Sequence, residues 1–137
     1  MASNKQGEHP GYQQDREVVV PSHAAATATE AATIYAAERA CRLKKVDIFS
    51  RDDVTGADGD STTLDVLVNG ASKASLALVA TPATNLAKNV KKALYAPATP
   101  LSLAAGDVVT LQFTKVGNGL LVPDLFVRSV IDFENVV

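Results

Sequence analysis

Thr62-Thr63-Leu64-Asp65-Val66-Leu67-Val68-Asn69-Gly70, followed by Ser72 to Val79, decides the fold class. Leu64, Val66 and Val68 recur at period two, the spacing that puts side chains on one face of a β-strand. Asn69-Gly70 is the preferred pair for a two-residue hairpin turn, because both positions tolerate positive φ. The chain then returns through 72–79 with Leu76 and Leu78 in phase.

The same period continues on both sides of this hairpin. In 107–114, Val109, Leu111 and Phe113 alternate with Thr110, Gln112 and Thr114, as in a half-buried strand. In 125–133, Leu125, Val127, Ile131 and Phe133 share a face, with Arg128 and Asp132 opposite. Across 41–51 the phase breaks: Cys41 and Leu43 agree with each other, Val46 and Ile48 with the other phase. One extra residue near Lys44–Lys45, a β-bulge, reconciles the halves. Shorter runs at 33–37 and 101–103 bring the total to seven. Pro82, Pro97, Pro100 and Pro123 lie between runs, where a missing N–H is harmless. Residues 80–100 read as the longest connection, with a short helical turn over Leu86–Lys92. This pattern predicts an all-β, two-sheet antiparallel sandwich, jelly-roll or immunoglobulin-like, its topology left open.

Composition sets the limits. At 137 residues the chain can bury a real core, and with no Trp and only 5 % aromatics that core is aliphatic. The net charge of −2 leaves no basic excess for phosphate neutralisation, and Lys44–Lys45 and Lys88/Lys91/Lys92 read as solvated charge, so nucleic acid is not an expected partner. No apolar run suits a signal peptide or a bilayer span, so a membrane is not expected either. The single cysteine, Cys41, reads as a buried inert thiol.

Composition changes near residue 30. Residues 1–17 carry hardly an aliphatic side chain and cannot offset their ordering entropy by burial. Val18-Val19-Val20-Pro21 follows, then Ala24 to Ala32, for which helix and extended chain are equally open. The expected organisation is an extended N-terminal arm over 1–32 and a β-sandwich domain over 33–137. Such an arm is ordered only when a neighbour holds it, and Val18, Val19, Val20 and Pro21 are the residues expected to grip that partner, by pairing with a sheet edge or filling a groove. Val136 and Val137 either complete the packing of the last strand or form a second partner contact.

Signs of catalysis are few. Both histidines, His9 and His23, fall in the arm, which is no scaffold for a nucleophile–imidazole pair. A zinc site would need more Cys and His than the sandwich holds, and Gly117-Asn118-Gly119 lacks the Lys-Ser/Thr of a phosphate loop. Asp52-Asp53-Val54-Thr55-Gly56-Ala57-Asp58-Gly59-Asp60 could wrap calcium through oxygen ligands, but it lacks the closing bidentate Glu and reads rather as a solvated acidic hairpin loop. As paired carboxylates for glycoside hydrolysis these residues lack aromatic platforms nearby. No catalytic residue, metal or cofactor is assigned.

Leu101-Ser102-Leu103-Ala104-Ala105-Gly106-Asp107-Val108-Val109-Thr110-Leu111, then Val116-Gly117-Asn118-Gly119-Leu120-Leu121-Val122-Pro123, resembles the C-terminal half of the small β-sandwich head-decoration and head-fibre domains of tailed bacteriophages. The likeness extends over about residues 33–133. It implies a non-catalytic cement protein made in the host cytoplasm and bound outside a capsid shell in the virion. Its implied partners are the major capsid protein and further copies of itself, as a dimer or trimer. A carbohydrate- or ligand-binding sandwich is the alternative, and an enzyme using the 52–60 carboxylates a more distant one.

Overall fold

Asn69 and Gly70 both adopt positive φ and form the tip about which the whole chain doubles back. The computed structural model describes residues 13–133. Among these, nine strands run β1 (Gln13–Val20), β2 (Thr29–Ala36), β3 (Cys41–Ser50), β4 (Ser61–Val68), β5 (Ala71–Ala77), β6 (Lys91–Tyr95), β7 (Leu101–Leu103), β8 (Val108–Val116) and β9 (Leu125–Asp132). Counting outward from Asn69–Gly70, β4 pairs with β5, β3 with β6 and β7, β2 with β8, and β1 with β9, all antiparallel. The chain is thus one long hairpin, and rolling it up adds two further pairings, β3 with β9 and β4 with β8.

The result is two sheets. Sheet I has the order β1-β9-β3-β6, with β7 also bordering β3, and sheet II the order β2-β8-β4-β5. Alternate pairs of the long hairpin fall in opposite sheets. That is the jelly roll, and it decides the topology that periodicity left open.

The core lies between the sheets and is aliphatic. Leu43, Val46 and Ile48 of β3 and Leu125, Val127 and Ile131 of β9 face Leu64 and Val66 of β4 and Val109, Leu111 and Phe113 of β8, all fully or almost fully buried. The β3–β9 register slips between Leu43 and Lys45, so the bulge lies where the phase of the side chains changes. Without it, Val46 and Ile48 would face solvent.

Three expectations are corrected. First, residues 13–32 are not an arm: β1 pairs along its whole length with β9, and β2 begins at Thr29. A polar strand is stable there because it is an edge whose outer face is solvated. Only Val18 and Val20 need to reach the core, and main-chain pairing supplies the rest. Second, 86–92 is no helical turn. Leu86 is buried and bridges Val54, a single 3-10 turn occupies Pro82–Thr84, and Lys91 opens β6. Third, 51–60 is no hairpin loop, because β3 and β4 lie in different sheets. It crosses the end of the sandwich, and its carboxylates hold other loops: Asp53 accepts the Lys88 N–H at 2.7 Å, Asp58 that of Ala80 at 3.0 Å and Asp60 that of Asn118 at 2.9 Å.

The β8–β9 connection packs tightly against neighbouring loops at one end of the roll. Thr62, fully buried, both donates to the Leu120 carbonyl (2.8 Å) and accepts from its N–H (3.0 Å). Gly117 and Gly119 have positive φ and stand against backbone, such that a Cβ would fall 1.9 Å from the Gly59 oxygen or 2.0 Å from that of Ala25. Only glycine fits either place.

Candidate functional site

The outer face of sheet I follows from the register. Because alternate residues point outward, odd positions of β1, even positions of β9 and Lys45, Asp47 and Phe49 of β3 share one surface. Across the strands they form rows. One row holds Val19, Phe126, Phe49 and Lys91, and the next Glu17, Arg128, Asp47 and Ala93. Beyond these come Asp15, Val130 and Lys45, then Gln13, Asp132 and Arg42.

The first row is apolar as far as Lys91 at its β6 end. Val19 is 66 % exposed, and the Phe49 and Phe126 rings stand 5.9 Å apart at 42°. Together with Glu17, Arg51, Asn89, Asp124, Leu125 and Arg128 they line a shallow cavity of about 470 Å³. The charges around it are paired across β3 and β9. Arg51 meets Asp124 at 3.2 Å, and Arg128 meets Asp47 at 3.2 Å while its guanidinium lies 5.1 Å over the Phe49 ring. Lys45 approaches the same Asp47 oxygen at 3.6 Å. Asp47 is fully buried although it points outward, and its other oxygen has no hydrogen-bond partner. The face is therefore an aromatic strip beside alternating charges. That arrangement suits contact with a protein surface, since aromatic and Arg side chains dominate interface cores.

A second recess of about 580 Å³ opens where the edges of β1 and β2 diverge, lined by Gln14, Arg16, Glu17, Ile34, Tyr35, Ala36, Glu38, Arg39 and Phe133. The Arg39 guanidinium sits 4.3 Å over Phe133. The Tyr35 hydroxyl contacts Cys41 Sγ at 3.6 Å, and burial first, then this contact, pushes the phenol up to about 12. Tyr35 therefore stays protonated at neutral pH. Cys41 is completely buried, as expected of an inert thiol.

The residues expected to grip a partner separate. Val20 is buried in the core and Val18 is half-buried against it, so the sheet edge they join is that of their own chain. Val19 alone of the three valines faces outward, and Pro21 is exposed beyond the strand end. Val136 and Val137 lie outside the described residues, as does His9. His23 is placed rigidly after all: it is fully buried, stacks on Phe113 at 5.1 Å, and its Nδ1 lies 2.9 Å from Glu30 Oε1. Its main chain exchanges two hydrogen bonds with Val122, tying the β1–β2 loop to the β8–β9 loop.

Sequence reading missed Asp47, Phe49, Phe126 and the pairing of Arg128 with Asp47. A signal existed, because Phe126 and Phe49 occupy the polar phase of their strands. Only the β3–β9 register makes them neighbours. Among the described residues no group of three or more His, Cys, Asp or Glu side chains is placed to hold a metal ion, and no helix is long and apolar enough to cross a membrane. No protein-family model matches the chain, and no curated protein is similar enough to match it either.

Proposed function

We propose that this protein is a structural component of a tailed-phage particle that binds the outside of the capsid and stabilises it. The observation that carries the reading is the strip of exposed Val19 and half-buried Phe126 and Phe49 on the outer face of the jelly roll, since an apolar patch rimmed by charge marks a protein-contact surface. The jelly roll is itself a frequent architecture of capsid proteins. The chemistry required is modest: several weak contacts per assembly, with the major capsid protein and between copies, reinforce one another through high effective concentration. Unlike the arm-anchored scheme that composition suggested, strength here would come from faces of the sandwich, because β1 is already paired within its own chain.

Co-sedimentation of the full-length chain with a panel of empty tailed-phage shells tests this. Saturable binding at fixed stoichiometry, with a rise in the temperature at which the shell opens, is the expected result. Absence of saturable binding to every shell refutes it.

The recess at the β1–β2 edges favours one other reading, a carbohydrate- or ligand-binding module, with Arg16, Arg39, Glu17 and Glu38 as polar groups beside the apolar ring of Phe133. Glycan-array binding that Arg39→Ala abolishes would support it, and a silent array would remove it.

A further inference from the structure

We infer that the outer face of sheet I is a self-docking surface, on which a second copy packs face to face about a two-fold axis parallel to the strands and lying between β3 and β9. The inference deepens the structural reading above and rests on it only for its biological purpose. Its argument is the order of residues on the two central strands.

Read along β9 and the residue before it, the outward series is Asp124, Phe126, Arg128, Val130, Asp132. Read along β3 in register, and the residue after it, the series is Arg51, Phe49, Asp47, Lys45, Arg42. Every charged member of one series other than Lys45 sits opposite a charge of the other sign, and the aromatic sits opposite an aromatic. A two-fold axis running between these strands places β9 of one copy over β3 of the other while keeping each row at its own height. Asp124 then meets Arg51 of the second copy and Phe126 meets its Phe49, while Asp47 and Asp132, both buried within their own chain, stay out of the contact. The exposed Arg51–Asp124 pair of one chain is faced by the same pair reversed, so its four charges alternate in sign around a square. A two-fold interface must be self-complementary, and here the sheet's own cross-strand pairing makes it so.

The other in-plane axis, perpendicular to the strands, keeps the aromatic strip on itself only when it passes through that row. It then sets Asp124 over Arg128 and Arg51 over the buried Asp47, an arrangement that reversing Arg51 and Asp124 together would not restore. Edge-to-edge pairing through β1 is opposed by Asp15, Arg16 and Glu17, which would meet like charges in the face-preserving registers centred on Asp15, Arg16 or Glu17. Parallel-axis stacking also keeps the strands of the two copies nearly aligned, the usual geometry of packed sheets, about 10 Å apart. It leaves the second face, sheet II, free for a capsid.

Four strands of about eight residues give a footprint near 500 Å², below the roughly 800 Å² per partner of standard stable interfaces. The dimer is therefore weak, with a dissociation constant in the micromolar range or above, and the Arg51–Asp124 pair beside the aromatic strip gives it specificity.

Sedimentation equilibrium of the full-length chain up to about 500 µM tests the proposal, run on wild type, R51D, D124R, the R51D/D124R double variant and F126S. The two charged positions are solvent-exposed, and thermal melts identify any variant that fails to fold. Reversible dimerisation is expected, weakened about tenfold or more by R51D, by D124R and by F126S, and restored by the double variant, which reverses both members of the pair at once. A strictly monomeric wild type overturns the inference, as does a dimer that R51D, D124R and F126S leave unchanged or one that the double variant fails to restore. Shell binding by a monomeric wild type would sink self-docking and leave the capsid reading standing. Dimerisation without shell binding would do the reverse.

Discussion

Arg128→Met is the substitution whose consequence the structure defines most sharply. Methionine keeps the aliphatic stem over Phe49 but removes the guanidinium 3.2 Å from Asp47. Asp47 is fully buried, so its carboxylate cannot turn to water. Removing one partner of a buried pair typically costs about 3–5 kcal/mol, mostly because a charge is left without compensation. Two features reduce that here: Arg128 is itself 28 % exposed, and Lys45 remains 3.6 Å from the same oxygen. The expected loss is about 2 kcal/mol. Asp47→Asn should cost about 1 kcal/mol, since the amide oxygen still accepts from Arg128 while the NH2 that replaces the unpartnered oxygen is a neutral donor left buried. The double variant D47N/R128M should be more stable than R128M alone by about 1 kcal/mol, because a neutral amide is easier to leave buried than a carboxylate. Urea unfolding followed by far-UV circular dichroism gives all three values, provided the slopes agree so that midpoints report stability. If R128M is neutral, or if the two substitutions simply add, the carboxylate is not held by this arginine and the reasoning fails.

Three further outcomes follow from other parts of the molecule. Deleting residues 1–20 removes β1 and with it Val20 from the core, so the shortened chain should lose its cooperative thermal transition; retention of that transition would show that β1 is dispensable. Gly119→Ala, with φ of 79° and the Ala25 carbonyl in the way, should destabilise by more than about 1 kcal/mol, and a melting temperature equal to wild type would contradict that geometry. Asp107 is held below its ordinary value first by the Asn69 side chain and then by the Ala104 N–H. A depressed carboxylate stabilises the fold above its unfolded pKa and loses that contribution as pH falls through the folded value. Wild type should therefore lead Asn69→Gly, which keeps the positive-φ turn, at neutral pH and lose part of that lead in acid; a gap independent of pH would refute the linkage.

Much of the fold was legible because strand period and turn chemistry are local. Leu64, Val66 and Val68, the Asn69-Gly70 turn and the break in phase near Lys44–Lys45 are all readable without a partner strand, and each takes its expected place. The two strands that reading missed, β1 and β6, share one physical property. Both lie at sheet edges, where main-chain pairing with a neighbour can order a polar or lysine-rich segment that its own side chains could not. For the same reason the polar stretch before Val18 passed for an arm.

The candidate site is a tertiary product. Phe49 and Phe126 are 77 positions apart, as the numbering in the sequence gives, and nothing in either local pattern says that they touch. What brings them together is the β3–β9 pairing made when the long hairpin rolls up, and that pairing also aligns Asp47 with Arg128 and Arg51 with Asp124. The sequence alone determined that strands would form, where most of them turn and which residues make an aliphatic core, because these depend on neighbours two to ten residues away. The tertiary structure decided which strands meet, and therefore that β1 closes sheet I rather than reaching outward. It also decided that one outer face carries an aromatic strip among paired charges, since register between distant segments is set by packing the whole roll and not by any one strand.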